Sequence, residues 1–337
     1  LRRLLYCGEW IESHGLHVYM LHAPDFLGYP GAIELAKDEP EIVKRGLAMK
    51  KAGNEIVATV GGREIHPVNI KVGGFYKAPS KEALNGLVDR LKQGRDIALD
   101  TVRWVAGFEF PDVERDYEFV ALSHPDEYPF NEGRIVSNRG LDIDATTYPD
   151  HFEEVHMPQS TALHSRIKER GFYFCGPMAR YGLNFSKLPA IARDVAKEVG
   201  LGSVCKNPYQ SIIIRSIELV FAFDEALRII DGYEPPDPPA VPIPPQAGVG
   251  HAATEAPRGM LYHRYQLAAD GSIEQAVIIP PTSQNQATIE EDLTTFVPQW
   301  LNMNDEDLRW RCEQTVRNYD PCISCATHFL KLDIDRG

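Results

Sequence analysis

Asp320-Pro321-Cys322-Ile323-Ser324-Cys325-Ala326-Thr327-His328 places two thiols and an imidazole within seven residues near the end of the chain. A two-residue spacer lets both sulfurs turn towards one ion, and thiolates suit zinc, iron and nickel. A structural zinc site wants further ligands at tight spacing, and no C-x-x-C or H-x-x-x-H lies in the preceding stretch. A haem attachment wants the histidine beside the second cysteine, whereas Ala326 and Thr327 intervene. A thioredoxin-like pair belongs on a helical turn after a strand near the start of a domain, not at a chain's end. Metal binding therefore leads a redox or purely structural pair, and spacing alone leaves the metal open.

The 337 residues, 43% apolar and 25% charged, are enough for an extensive core in one large domain or two. A net charge of −13 without a long Lys/Arg run makes nucleic acid and anionic membranes poor partners. The six cysteines are dispersed apart from the last pair, which suits a reducing, cytoplasmic setting better than a disulfide framework. Neither a signal peptide nor an apolar run of about 18 residues is present, so no transmembrane segment is expected. The chain begins at Leu1 in a helical pattern and without Met, and is read as N-terminally incomplete.

Residues 1–22 repeat large apolar side chains at helical spacing, with Pro24 as the expected stop. His14, His17 and His22 ride on this helix; histidines among large apolar residues usually hydrogen-bond a carboxylate or backbone group, so ligation by His14 or His17 is not expected. Further helices are expected over residues 41–60 and, capped by Ser80, 81–105. The Gly-bounded stretch 61–74 between them reads as a loop that approaches a site. The charged face of the 81–105 helix reads as a solvated or subunit-facing surface. Residues 108–164 change to short β-rich pieces between Pro, Gly and Asp turns, a small α+β insertion. Helices return over 188–199 and 209–230, the latter apolar almost all round and so expected at the centre of a bundle. The proline-rich 234–246 stretch reads as a linker or a rigid strap, and 248–259 as a glycine-rich turn that aims Arg258 between Pro257 and Gly259. A hairpin over 261–279 turning at Asp270-Gly271, a polar loop over 282–286, and helices over 289–301 and 305–318 complete the pass, the last capped by Asn304.

Thr254-Glu255-Ala256-Pro257-Arg258-Gly259, followed some sixty residues on by Asp320-Pro321-Cys322-x-x-Cys325-x-x-His328, resembles the nickel-iron hydrogenase large subunit. Ser13-His14-Gly15-Leu16-His17, Leu21-His22-Ala23-Pro24-Asp25, Gly61-Gly62-Arg63-x-x-His66-Pro67 and Leu261-Tyr262-His263-x-Tyr265 extend the likeness over nearly the whole chain. Pro281-Thr282-Ser283-Gln284-Asn285-Gln286 and the C-terminal block are most similar to the soluble branch coupled to nicotinamide cofactors.

The resemblance implies a mainly α fold with a small α+β insertion, a long-helix bundle of the hydrogenase large-subunit type in a single domain. It also implies reversible cleavage of dihydrogen at a nickel-iron centre whose iron carries carbon monoxide and cyanide. Carried over, Cys322 is a nickel ligand and the proton-accepting base, Cys325 bridges nickel and iron, and His328 ligates magnesium with the backbone carbonyl of Ile278. Ala256, Pro257, Arg258, Pro281 and Thr282 line the pocket; Arg258 sets its electrostatics and Asp320 holds the arginine or the cysteine loop. No iron-sulfur cysteine pattern is spare, so an iron-sulfur small subunit is expected, with flavin-bearing diaphorase subunits beyond it. The family's R-x-C-G-x-C block is absent and is expected upstream of Leu1. Residues 329–337 read as a precursor tail cut between His328 and Phe329 by a maturation endopeptidase. Alternatives are a non-catalytic relative in the quinone module of respiratory complex I, which lacks the cysteine ligands, and a zinc-binding scaffold.

Overall fold

The computed structural model describes residues 1–322, in which the chain is mainly helical with small antiparallel sheets. Helix α1 (Arg2–Leu16) runs straight into a π-helical turn (His17–His22) and then into α2 (Ala23–Leu27). Pro24 therefore does not stop the run. It sits in the first turn of α2, where the missing N–H costs nothing, and Gly28 in the left-handed region at φ 79 ends the helix. After α3 (Ala32–Asp38), α4 (Pro40–Gly61) starts on a proline and ends at left-handed Gly62, one residue beyond each end of the expected span. Strands β1 (Ile70–Lys71) and β2 (Gly74–Phe75) form a small hairpin in the loop that follows.

The single helix expected over 81–105 is two: α5 (Lys81–Asn85), capped by the Ser80 hydroxyl, and α6 (Val88–Ala106), with the break at Gly86-Leu87. The charged face of α6 is partly engaged, Arg90 with Glu55 and Arg95 with Asp224 at 2.9 Å. Strands β3 (Val120–Ser123), β4 (Arg134–Ser137) and β5 (Asp142–Ile143) form one antiparallel sheet. Helix α7 (Tyr148–His151) leads to the pair β6 (Phe152–Val155) and β7 (His164–Ile167). Helix α8 (Pro177–Asn184) has no counterpart in the sequence reading, and α9 (Ala190–Glu198) and α10 (Ser211–Asp231) follow it.

The glycine-rich 248–259 stretch is not only a turn: β8 (Gly248–Ala256) pairs along its whole length with β9 (Gly259–Leu267), which pairs on its other edge with β10 (Ile273–Ile279). The polar 282–286 stretch is not a loop either. It forms the first turns of α11 (Pro281–Phe296), which starts eight residues earlier than its apolar pattern suggests, and α12 (Asp305–Arg317) follows with Asn304 accepting from the Asp307 N–H.

Helix α1 packs against α4 and α10, and α10 against α6. Nearly every side chain of α10 is buried, as its uniform apolarity implies. Contact between α1 and α4 is close because Gly53 has no side chain; a Cβ there would lie 2.6 Å from both the Gly8 carbonyl oxygen and the Glu12 nitrogen. A Gly53→Ala variant is expected to lose about 1–3 kcal/mol in chemical denaturation through this overpacking.

Candidate metal centre

Ala256 pairs with Gly259, so Pro257 and Arg258 alone form the tip between β8 and β9. Gly259 takes φ 143, and a Cβ on it would meet the Cys175 sulfur at 2.8 Å; one on Gly176 would meet the Arg258 carbonyl oxygen at 2.7 Å. The tip is thus pressed onto residues 175–176.

Arg180 of α8 holds the tip from inside. Its guanidinium is fully buried, donates to the carbonyls of Ala256 and Pro257 at 2.7 Å each, and stacks over Trp10 at 4.2 Å. The same group makes two 2.9 Å bonds to Glu218 and one to Glu255. Glu218 also accepts from Tyr128 and contacts His14, the carboxylate contact expected of a histidine in a core helix. One cation shared by two carboxylates separates them. Burial raises both, but Arg180 and His14 hold Glu218 down to about 2, whereas Glu255, with less compensation, is pushed up to about 7. Arg180→Met is expected to destabilise the protein by about 3–5 kcal/mol in urea denaturation, because Glu218 would remain buried without its guanidinium partner. Glu255 takes up a proton in the fold between its ordinary 4.5 and about 7, so this contribution is present at low pH and lost as pH rises through 7. Wild type is accordingly expected to lose about 3 kcal/mol relative to Glu255→Gln between pH 4.5 and 7, read from paired denaturation curves.

Arg258 reaches over to the chain's last described turn. Its Nε donates to the Asp320 carbonyl at 2.6 Å, and its Nη2 to Asp320 Oδ1 at 3.3 Å. Asp320 is fully buried and holds φ 49, a left-handed conformation tolerated by aspartate better than by most residues. Burial pushes its carboxyl up, and the His17 ring with the Arg258 and Arg215 charges more than offsets this, so it lies below the usual carboxylate range. His17 Nδ1 is 3.0 Å from Asp320 Oδ1, its Nε2 is 3.2 Å from His22 Nδ1, and His22 Nε2 is 3.1 Å from the Asn318 side chain. Burial brings His17 down to about 4 and His22 lower than its ordinary value as well.

Two residues beyond Asp320, the exposed Cys322 sulfur accepts from the Thr282 hydroxyl at 3.5 Å, and the Cys322 N–H points at the same hydroxyl at 3.4 Å. Thr282 is placed by α11, whose neighbouring amides substitute for strand partners. Asn285 accepts from the Cys175 N–H at 2.9 Å and donates to its carbonyl at 2.8 Å, while Gln284 donates to the carbonyls of Met260 and Ile279. Arg258, Thr282, Asn285, Ile289, Tyr319 and Pro321 enclose a small crevice at this junction.

Arg258, Asp320, Thr282 and Cys322 therefore converge, with Ala256 and Pro257 behind them and Pro281 starting α11 beside Cys175. Ile278 is not joined to this cluster; it lies in β10 opposite His263 with its side chain exposed. Cys325, His328, Phe329 and the 329–337 tail lie outside the described residues. Arg180, Glu218, Gln284 and Asn285 were not picked out from the sequence.

The donors present fit a soft metal. Cys322 offers a thiol at the surface, the donor type that suits nickel or iron, while Asp320 Oδ2 faces Arg258 Nε at 3.3 Å as part of an ion pair. Cys7, Cys205 and Cys312 are buried elsewhere and Cys175 lies buried behind the tip; burial raises all four thiols, so they are packing residues. Among the described residues no three His, Cys, Asp or Glu side chains form a complete ligand group.

Residues 231–328 match the family model for nickel-dependent hydrogenase. The chain is 30% identical to sulfhydrogenase 1 subunit alpha of Pyrococcus furiosus, over 98% of its own length and 78% of the relative's. It is 26% identical to the beta subunit of the NAD-reducing hydrogenase HoxS of Cupriavidus necator, over 98% and 76%. Its fold superposes on a NAD+-reducing [NiFe]-hydrogenase in the H2-reduced state with a TM-score of 0.84 and 25% identity, covering 97% of this chain and 79% of the other. With that identity, coverage and shared fold, the chain belongs to the nickel-dependent hydrogenase family.

Proposed function

We propose that this chain is the catalytic large subunit of a nickel-iron hydrogenase, splitting dihydrogen reversibly into two protons and two electrons. The observation that carries the reading is the seating of Arg258 on Asp320 beside Cys322. Cys322 and Cys325 would hold a nickel-iron centre with carbon monoxide and cyanide on its iron, and that centre would supply the Lewis acidity that takes the electron pair of dihydrogen.

The remaining work falls to the protein. The Cys322 thiolate takes the proton, and the Thr282 hydroxyl bonded to it fixes the direction of its lone pairs. Arg258 contributes a permanent positive charge that does not compete for the proton. Asp320 fixes that charge in place, and Arg180 fixes the backbone from which it projects. The packing of α1, α4, α6 and α10 is read as the long-helix bundle that keeps this region dry. His328 would hold magnesium, with the Ile278 carbonyl as a second ligand.

Electrons would leave to an iron-sulfur small subunit and, through flavin-bearing diaphorase subunits, to NAD(P), in the cytoplasm. Among the described residues no helix is long and apolar enough to cross a membrane. The test is metal analysis of the purified native complex together with hydrogen-dependent reduction of viologen and of NAD+. Nickel and iron with both activities support the reading. Zinc alone points to a scaffold, and no metal points to a non-catalytic relative.

A further inference from the structure

The π-helical turn has a specific result. In an α-helix, residues five apart point about 140° away from each other. In the His17–His22 turn the Ala23 N–H instead bonds back to the Val18 carbonyl, five residues earlier. That wider winding brings His17 and His22, also five apart, into one stack, with ring centroids 4.9 Å apart. The turn is held by its neighbours. Tyr19 packs where a Cβ on Gly46 would lie only 2.5 Å away, and its hydroxyl bonds Thr101 at 2.6 Å.

The stacked pair joins two points of the same C-terminal turn, with His17 on Asp320 and His22 on Asn318. The Ser211 hydroxyl of α10 bonds the Asn318 carbonyl at 2.8 Å, so the Asn318 end is fixed. Donor order follows from chemistry. If both imidazoles are neutral and Asp320 is a carboxylate, His17 must carry its proton on Nδ1, facing the acid. His17 Nε2 then accepts, so His22 donates from Nδ1 and accepts at Nε2. The Asn318 amide must accordingly turn its nitrogen to His22; the two orientations of an amide occupy the same heavy-atom positions. The other orientation would set two lone pairs facing each other between His17 and Asp320.

We propose that the His17–His22 pair is a positioning element for Arg258: Asn318 and the two rings form a chain that ends on the 3.0 Å contact of His17 Nδ1 with Asp320 Oδ1, and that contact keeps the Asp320 carboxylate turned to the guanidinium. This rests on the reading of Arg258 as the charge beside the metal site. The π turn is then required because it alone brings both rings into line.

Asn318→Asp, which keeps the shape but removes the terminal donor, reverses the chain. His17→Asn places an amide N–H where Nδ1 stood, whereas His17→Leu removes the donor. Arg258 seating is read in the metal-free protein by phenylglyoxal modification followed by peptide mass spectrometry. Turnover is read in the metal-loaded complex as kcat and KM for hydrogen, normalised to nickel. Expected are about fivefold faster Arg258 modification and about a tenfold lower kcat in His17→Leu and Asn318→Asp, with KM unchanged and His17→Asn close to wild type. Wild-type Arg258 reactivity in both His17→Leu and Asn318→Asp would overturn the proposal, as would equal loss in His17→Asn and His17→Leu. If His17→Leu does not fold, the contrast between Asn318→Asp and His17→Asn decides alone. Failure of the hydrogenase reading would look different: wild-type complex without nickel or activity, while the modification assay, run without metal, still reports how Arg258 is held.

Discussion

Cys322→Ser is expected to abolish hydrogen oxidation and to reduce bound nickel to background, while the protein melts within about 2 °C of wild type. The thiol is exposed, and its hydrogen bonds among the described residues are to Thr282, so little packing is lost when sulfur becomes oxygen. Coordination responds very differently, because a serine hydroxyl is not ionised near neutral pH and is a harder donor than thiolate. Elemental analysis, activity and a melting curve on one preparation separate the two effects. Retention of nickel at wild-type stoichiometry would remove Cys322 from the ligand set.

Arg258→Lys is expected to leave nickel content unchanged and to lower kcat by about 100- to 1,000-fold, with a much smaller change in KM. Lysine keeps the charge but not the fork. Arg258 uses Nε for the Asp320 carbonyl and Nη2 for its carboxylate, and one ammonium on a flexible stem cannot hold both directions at once. A lysine variant with wild-type kcat would mean that charge without orientation suffices.

The Cys322 block and the aimed Arg258 stood out from their own flanking residues, whereas Asp320, Thr282, Pro281 and Ala256 were reached through the family resemblance. Proline and glycine flank Arg258, and proline separates Asp320 from Cys322, so side-chain directions are tied to sequence position. The supporting residues were hidden for physical reasons. Arg180 sits on a short helix among Met178, Ala179 and Tyr181, and nothing local says that its guanidinium will be buried under Trp10. Gln284 and Asn285 read as loop because polar side chains usually face water, yet Gln284 bonds backbone carbonyls of β9 and β10, and Asn285 bonds the backbone of Cys175 just before α8. The proline at position 281 was the available signal for a helix start there. The π turn left no propensity signature; only the five-residue separation of two histidines hinted at it. Strand β8 was obscured by Gly248 and Gly250, which carry no side chain to reveal alternation.

The left-handed Asp320 also bears on the order in which the molecule is built. Its partners come from the opposite end of the chain, His17, and from a hairpin tip 62 residues away, Arg258. Contacts spanning such separations carry the largest loop-closure entropy, so they form after the local ones. The tip is itself clamped by Arg180 across 76 and 77 residues, whereas Thr282 is set locally by α11. Joining the two ends of the chain through His17 and Asp320 is therefore the costliest of these closures and the one expected last.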